Sequence, residues 1–455
     1  MSDYSKDDTS EGYAAELVKL LRDSGAKKGS RIKVKTKDGF EIAGLLIPRY
    51  EAGSGEHLVL KLKSGYNVGL ASSSISSITV IEDQLAETPI FSTIKQEREH
   101  ANEKTVLLLS TGGTIASKVD YRTGAVKPAY TASDLYAAVP ELGDIAQIKT
   151  EVLFSALSEN LGQEHWQKLS ELIVAKSNEP SKFNGIVIML GTDTMGYVAA
   201  ALSFSLIGVK FPVVCVGSQR SSDRPSTDSA LNIQGATYFA AHSNVRGVFV
   251  AMHRSESDEV IAIHSGVRVR KNHTSRRDAF ESIDVPLFAE VVRDKISFNS
   301  DFPKSSSDPE ISKDFNFKTN FDPKVSLIKF YPGFDPSLLD FLTAERGLKG
   351  IIFEGTGLGH VSKATVRKIE ELVTNGIFIG ITSQCVRGHV DLHVYETGID
   401  LLNAGAVPLG NMISETALAK LSWVLGNFSR EDVGNLMTKN LLAEMTERIL
   451  LKHEP

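Results

Sequence analysis

Residues 106–114 read VLLLSTGGT, an uninterrupted apolar run that ends in a turn of hydroxyl side chains and glycines. Residues 186–194 read IVIMLGTDT and repeat the same arrangement. Apolar runs of this kind are typical of strands that are buried on both faces of a parallel sheet. Open α/β sheets bind their ligands in the crevice outside the carboxyl ends of the strands, so we expect both turns to face one pocket.

The threonines of these turns, Thr114 and Thr192, suggest a threonine-based active site. A threonine hydroxyl is a poor nucleophile unless a neighbouring group accepts its proton and donors stabilise the oxyanion. Asp193 and Lys271 are candidates for that help, although a lysine acts as a base only after it has lost its proton. Each feature alone has a structural alternative: a plain strand-to-helix connection, a helix cap, or a solvated surface lysine.

Apolar runs and helical patterns alternate through the rest of the chain, and this βαβ rhythm predicts a parallel sheet with right-handed crossovers. A stretch rich in Ser, Asp, Pro and Lys, 301–324, reads as a linker that separates domains at 104–300 and 325–455. The predicted strands are 106–109, 186–190, 213–216, 325–330, 350–354 and 378–382, and the predicted helices are 163–176, 195–206, 227–241, 363–374 and 414–423.

The first 83 residues have a different pattern and form a domain of their own, followed by a polar linker over 84–103. A short amphipathic helix is predicted over 10–24. Apolar residues such as Ile32 and Val34 then alternate with basic ones, and turn residues separate the runs, which predicts hairpins of a small β-barrel. The basic face over 27–37 is read as a solvated strand face in preference to a nucleic-acid contact.

Composition excludes several classes of protein. The 455 residues carry a net charge of −6, which argues against a surface wrapped in nucleic acid. The two cysteines have no paired spacing, so neither a disulfide framework nor a zinc site is predicted, and Cys385 is expected to be free and buried. The polar start of the chain and the Lys210 and Pro212 inside the longest apolar run predict a cytoplasmic protein without a membrane span.

Several segments resemble the L-asparaginase family of amidohydrolases. They are 110–116, 190–195, the loop and helix from Gly217 to Asn232, and the Arg-Lys-Asn-His-Thr segment around Lys271. The resemblance runs from about residue 105 to 450 and implies a two-lobed α/β core with a parallel sheet, preceded here by the small N-terminal β-barrel domain. It implies Thr114 as the nucleophile and Thr192, Asp193 and Lys271 as the remaining catalytic residues.

The same resemblance implies the residues that bind substrate. Tyr121 would lie on a lid over the pocket and hydrogen-bond the threonine. Ser158 and Glu159 would bind the α-carboxylate and α-ammonium of a free amino acid, glutamine or asparagine. Many asparaginases have Gln at the position of Glu159, and an extra carboxylate there would strengthen ammonium binding.

The N-terminal domain joined to such a core, with the segments 117–121 and 219–225, resembles the D subunits of the archaeal glutamyl-tRNA(Gln) amidotransferases. That resemblance implies a homodimeric glutaminase that supplies ammonia to a partner, the E subunit, which converts Glu-tRNA(Gln) to Gln-tRNA(Gln). ATP, Mg²⁺ and most of the tRNA contact would belong to the partner, and this chain would need no cofactor or metal. Two alternatives stay open: a free-standing asparaginase or glutaminase with an accessory domain, and an RNA-binding or scaffolding protein with an inactive core.

Overall fold

The structure is a computed structural model. It describes residues 13–27, 30–46, 55–61, 67–82, 104–111, 117–119, 126–128, 139, 141–179, 183–220, 227–303 and 315–448. The chain divides into two compact units. The first comprises 1–100, 116–129 and 220–227, and the second comprises 101–115, 130–219 and 228–455.

The first unit contains an antiparallel sheet of five strands in the order β4-β3-β2-β1-β5. The alternation predicted for its first strand is confirmed, because Ile32 and Val34 are buried while Lys33 and Lys35 are exposed. The helix begins at Ala15, later than predicted, and ends at Gly25, whose φ of 70° suits a residue without a side chain. The elements are α1 (Ala15–Ser24), β1 (Arg31–Thr36), β2 (Glu41–Leu46), β3 (His57–Lys61), β4 (Asn67–Ala71) and β5 (Ile75–Glu82).

The second unit begins with an eight-stranded sheet in the order β17-β16-β13-β12-β11-β10-β6-β9. The predicted parallel sheet is confirmed, because five neighbouring strands pair in parallel: β9, β6, β10, β11 and β12. Three further strands, β13, β16 and β17, extend this sheet from β12 in antiparallel pairing. The strands are β6 (Thr105–Ser110), β9 (Gln147–Val152), β10 (Gly185–Met189), β11 (Pro212–Val216), β12 (Gly247–His253), β13 (Ile261–Ser265), β16 (Ala289–Val292) and β17 (Lys295–Phe298). The helices are α2 (Leu142–Ile145), α3 (Gln163–Ser177), α4 (Met195–Ser205) and α5 (Ser229–His242).

The three strands predicted for the C-terminal lobe form a parallel sheet, and a fourth strand, which was not predicted, extends it. Its strands are β18 (Val325–Lys329), β19 (Gly350–Gly355), β20 (Phe378–Ser383) and β21 (Val407–Pro408). Its helices are α6 (Leu338–Ala344), α7 (Lys363–Thr374), α8 (Glu396–Asn403), α9 (Ser414–Asn427) and α10 (Val433–Thr438). Helix α9 joins the lobes: its buried Trp423 stacks on Phe204 of α4, with ring centroids 5.5 Å apart.

Two short hairpins complete the described chain. Strand β7 (Ser117–Val119) pairs with β8 (Val126–Pro128) in the first unit, and β14 (Val269–Lys271) pairs with β15 (Phe280–Ser282) in the second. The β14–β15 hairpin is the element that carries Lys271.

The cysteines differ from expectation in one respect. Both are free, and Cys215 is buried in β11, where burial raises its pKa to about 12. The sequence predicts a buried Cys385, but this residue is exposed, because it follows β20 in a turn and not inside the sheet. Among the described residues, no helix is long and apolar enough to cross a membrane.

Candidate active site

The site lies where β6 and β10, adjacent strands of the large sheet, reach their carboxyl ends. Thr111 ties the two ends together: its backbone N–H and its Oγ1 both donate to the carbonyl of Met189, at 3.1 and 3.0 Å. Thr111 also accepts from the backbone N–H of Ala156 at 3.0 Å. Thr111, the residue that precedes 112–116, is therefore held at the end of β6 by three hydrogen bonds. Thr114 and Tyr121, the predicted nucleophile and lid residue, lie outside the described residues.

Three of the predicted catalytic side chains meet beyond the end of β10. The Nζ of Lys271 donates to Thr192 Oγ1 at 2.8 Å and to Asp193 Oδ1 at 2.7 Å. Thr192 is buried, the Lys271 side chain is 12% exposed and that of Asp193 is 71% exposed. The amine thus spans from a sheltered hydroxyl to a carboxylate that faces solvent. A lysine that has lost its proton at this position could accept the proton of the hydroxyl it touches.

Two glycines, Gly191 and Gly217, allow close packing around Thr192. A Cβ at Gly191 would lie 2.8 Å from the Cβ of Ser158, and one at Gly217 would lie 2.7 Å from the Cγ2 of Thr192. Real Cβ contacts are essentially never this short, so any larger residue would displace a neighbour. The turn after β11 therefore packs directly against the threonine.

The predicted substrate-binding residues Ser158 and Glu159 lie in a short 3-10 helix, Ser158–Asn160. Ser158 is buried against Gly191, and its carbonyl accepts a 2.6 Å hydrogen bond from the Oγ1 of Thr194. Glu159 is exposed. The structure thus brings Ser158 to the turn that holds Thr192 and Asp193, and leaves the Glu159 side chain in solvent.

A buried polar network behind the site was not predicted from the sequence. Asn232 of α5 donates from Nδ2 to the carbonyl of Gly217 and to Asp228 Oδ2, both at 3.0 Å. Asp228 in turn accepts from the backbone N–H of Gln219 at 2.9 Å. The Oδ1 of Asn232 lies 2.6 Å from the Nδ1 of His253. These contacts hold the 217–219 turn, which packs against Thr192.

A second cluster lies between the lobes, next to the Lys271 strand. Arg270 Nε is 3.3 Å from Glu415 Oε1, at the start of α9. Burial raises the pKa of the Glu415 carboxyl, with Glu354 adding to the rise and Arg270 opposing it. Burial also raises the pKa of Tyr197 on α4 to about 12, with help from the same carboxylates.

A cavity of about 860 Å³ lies elsewhere on the large sheet, beside the start of β12. Phe249, Phe288 and Phe302 contribute to its walls, and Lys210 and Arg246 to its polar part. Ligands of α/β sheets bind at the carboxyl ends of strands. Because the lining includes none of the predicted catalytic or substrate-binding residues, we place the chemistry at Thr192 and not in this cavity.

The described residues include no group of three or more His, Cys, Asp or Glu side chains placed to hold a metal ion. The arrangement instead offers a hydroxyl, an amine and a carboxylate in contact, together with backbone N–H groups of the turn before α4. These groups are suited to proton transfer and to the stabilisation of an oxyanion.

Nearly the whole length of the chain is similar to known proteins. A protein named as the D subunit of glutamyl-tRNA(Gln) amidotransferase from Thermofilum pendens is 44% identical over 98% of this chain and 99% of its own length. Proteins of the same name from Methanopyrus kandleri and Pyrococcus furiosus are each 43% identical, over 97% and 94% of this chain and 97% of their own lengths. This chain belongs to the family of glutamyl-tRNA(Gln) amidotransferase D subunits.

Family models divide the match into three parts. The family described as "GatD N-terminal domain" matches residues 26–81, "Asparaginase, N-terminal" matches 105–304, and "Glutaminase/Asparaginase C-terminal domain" matches 324–437. The resemblance to asparaginases and to the D subunits stated from the sequence is therefore confirmed, as is the asparaginase-like α/β core.

Solved structures agree with this family. The thermostable L-asparaginase from Thermococcus kodakarensis is 30% identical, covers 76% of this chain with all of its own length, and superposes with a TM-score of 0.66. A probable cytoplasmic L-asparaginase from Campylobacter jejuni is 26% identical, covers 74% of this chain with all of its own length, and has a TM-score of 0.62.

Proposed function

We propose that this chain is the glutaminase subunit of a tRNA-dependent amidotransferase. The observation that carries the proposal is the contact of the Lys271 amine with the Thr192 hydroxyl and the Asp193 carboxylate. An inert scaffold or RNA-binding module has no need for an amine held between these two groups at the carboxyl ends of the strands. The alternative of an inactive core is therefore disfavoured.

The reaction we propose has two steps. The Oγ of Thr114 attacks the side-chain amide carbon of glutamine, the C–N bond breaks, and ammonia leaves with a proton, which gives an acyl-enzyme. Water then attacks the ester carbonyl and releases glutamate and the threonine. Lys271 passes protons between Thr192 and the leaving group or the water, and backbone N–H groups at Thr114 and Thr192 stabilise the oxyanion.

Substrate binding follows from the same placement. The exposed Asp193 carboxylate can bind the α-ammonium of glutamine while its Oδ1 accepts from Lys271 and orients the amine. The Ser158 hydroxyl is the proposed partner of the α-carboxylate, and the Glu159 carboxylate is proposed to strengthen binding of the α-ammonium. Tyr121 is proposed to close over the pocket.

The rival proposal is a free-standing asparaginase or glutaminase. The near full-length match to D subunits, which includes the separate N-terminal domain, favours the amidotransferase. In that assignment a partner, the E subunit, uses ATP and Mg²⁺ to activate Glu-tRNA(Gln) and receives the ammonia. This chain then needs no cofactor of its own.

We also propose that the core forms a homodimer. In the C-terminal lobe, large apolar side chains are exposed, and a second copy packed against this lobe would remove them from water. They are Tyr331, Leu338, Phe341, Val386, Val394, Tyr395 and Ile399. Sedimentation equilibrium should give twice the chain mass, and a monomer at micromolar concentration would contradict this assignment.

The test of function is ammonia release from glutamine and from asparagine, with and without the partner subunit and Glu-tRNA(Gln). We expect release from glutamine that is accelerated by partner and tRNA together, and loss of that release in Thr114→Val. Thr374→Val, which removes an exposed hydroxyl from the end of α7, is the control and should keep the wild-type rate. Unchanged release by Thr114→Val would refute the assigned nucleophile, and a full rate without partner and tRNA would favour the free-standing enzyme.

A further inference from the structure

The network behind Thr192 continues beyond Asn232 to the surface. His253, at the end of β12, has a fully buried side chain whose Nδ1 faces Asn232 Oδ1 at 2.6 Å and whose Nε2 faces Asp258 Oδ1 at 3.3 Å. Asp258 is also paired with Arg277 Nη1. Arg277 belongs to the loop between β14 and β15, the hairpin that carries Lys271.

The contacts therefore form a closed circuit with the reactive pair. One arm runs from the Gly217 turn, which touches Thr192, through Asn232 to His253. The other arm runs from His253 through Asp258 and Arg277 into the Lys271 hairpin. The 2.8 Å hydrogen bond between Lys271 and Thr192 closes it. His253 is the buried residue at which the two arms meet.

The side-chain amide of Asn232 determines which atom donates in its hydrogen bond with His253. The Nδ2 group of Asn232 donates to the Gly217 carbonyl, to Asp228 and, at 3.8 Å, to the Met252 sulfur, so its Oδ1 is left to accept. The Nδ1 of His253 must then be the donor to Asn232. A side chain that cannot donate there would leave a buried amide oxygen without that bond and loosen the turn beneath Thr192.

We propose that His253 is a positioning residue that holds Thr192 and Lys271 in register for proton transfer. This inference rests on the proposed glutamine hydrolysis and assigns His253 no contact with substrate. Misplacement of reacting groups by about 1 Å can cost about 100-fold in rate even when the change lies far from the chemistry. The loss should therefore fall mainly on kcat, since Ser158 and Glu159, two of the groups proposed to bind the substrate, are not members of the circuit.

The experiment compares three variants in the full chain with its partner. His253→Leu removes the donor and should lower kcat for glutamine hydrolysis by about 10-fold or more, with KM within about twofold. His253→Asn places an amide donor near the position of Nδ1 and should recover most of the loss. Val250→Ala removes buried methyl groups from the same strand without touching the network, and should keep kcat while it lowers the melting temperature.

Three results would overturn the inference: wild-type kcat in His253→Leu, no recovery in His253→Asn, or an equal kcat loss in Val250→Ala. A crystal structure of His253→Leu supplies a readout apart from activity. We expect the Lys271 Nζ to Thr192 Oγ1 separation to exceed hydrogen-bond distance, and an unchanged separation would contradict the circuit. If the wild-type complex releases no ammonia from glutamine, the proposed function fails, which is distinct from a His253→Leu variant that works normally.

Discussion

At the scale of single residues, the central feature is an amine between a buried hydroxyl and an exposed carboxylate. Thr192 and Asp193 could be predicted from the sequence because they directly follow an apolar strand, where sheet geometry places functional side chains. The choice of Lys271 depended on the family resemblance, since no local pattern separates it from a surface lysine. His253 carries no such signal, and its partner Asn232 lies 21 residues away in the chain.

Glu415 gives a residue-scale prediction with a defined sign. Burial raises the pKa of this carboxyl above its ordinary value of 4.5, so between 4.5 and the raised value the folded chain holds a proton that the unfolded chain has lost. The free energy of unfolding contributed by Glu415 therefore falls as pH rises through that window. We expect Glu415→Gln to remove this contribution, so that unfolding free energy in urea declines less from pH 4.5 upward.

The control for this experiment is Glu370→Gln, because Glu370 is exposed on helix α7. It should leave the pH dependence of unfolding as in the wild type. A Glu415→Gln curve parallel to the wild-type curve at every pH would show that the carboxyl does not titrate differently on folding.

At the scale of elements, the helices of ten residues or more and most of the parallel strands were predictable because their apolar patterns are long, whereas the parallel strands β9 and β12 and the antiparallel β13 were not predicted. The helix predicted over 363–374 coincides with α7, and α3 extends one residue beyond its predicted end. Strands β14 to β17 were missed because they have only three or four residues, too few for a period to be read. Strand β16 pairs with β13, which itself lies antiparallel to β12, and β17 pairs with β16, while β14 and β15 pair with each other.

The contact between two turns gives a prediction at this scale. Gly217→Ala would place a methyl group 2.7 Å from both Thr192 Cγ2 and Met195 Cε, and 2.8 Å from the carbonyl of Leu190. Because a backbone atom cannot move aside as a flexible side chain can, we expect a loss of about 1–3 kcal/mol in unfolding free energy. We also expect kcat for glutamine to fall at least tenfold, measured by ammonia release, because Thr192 must shift.

Gly434→Ala is the matched control, since a Cβ at this position in α10 meets no atom within 4 Å. Alanine is a better helix former than glycine, so stability should stay the same or rise by up to about 1 kcal/mol. Wild-type activity in Gly217→Ala would show that the two turns are not rigidly packed.

At the scale of the whole molecule, the lobes of the asparaginase-like core are joined by buried charged groups. Arg268 is fully buried, and its guanidinium donates to the carbonyls of Asn411 and Ala443. Burial lowers the pKa of Arg268 to about 10, opposed by Glu444 and Asp284. Such contacts could not be predicted from the sequence, because Arg268 and Asn411 are 143 residues apart.

The Lys420–Glu444 pair gives a prediction at this scale. Its two side chains are completely buried with Nζ and Oε1 2.6 Å apart, and Glu444 also accepts from the backbone N–H groups of Leu441 and Leu442. Removal of one partner leaves a buried charge uncompensated, so Lys420→Met should lower the unfolding free energy by about 3–5 kcal/mol. The measurement is urea unfolding followed by tryptophan fluorescence.

Lys363→Met breaks an ion pair with Glu396 in which both side chains are exposed, and should cost at most about 1 kcal/mol. The double variant Lys420→Met with Glu444→Gln should recover part of the stability, because no unpaired charge remains buried. Equal costs for Lys420→Met and Lys363→Met would mean that the interior pair does not hold the C-terminal segment in place.

The most direct test of the account is a double-mutant cycle on Thr192 and Lys271, read as kcat/KM for glutamine hydrolysis by the complete complex. If the hydroxyl and the amine act as one proton-transfer unit, Thr192→Val and Lys271→Met should each lower kcat/KM by about 1000-fold or more. The kcat/KM of the double variant should then be no lower than that of the less active single variant. Losses that multiply in the double variant, or a single variant that retains wild-type activity, would contradict the shared role.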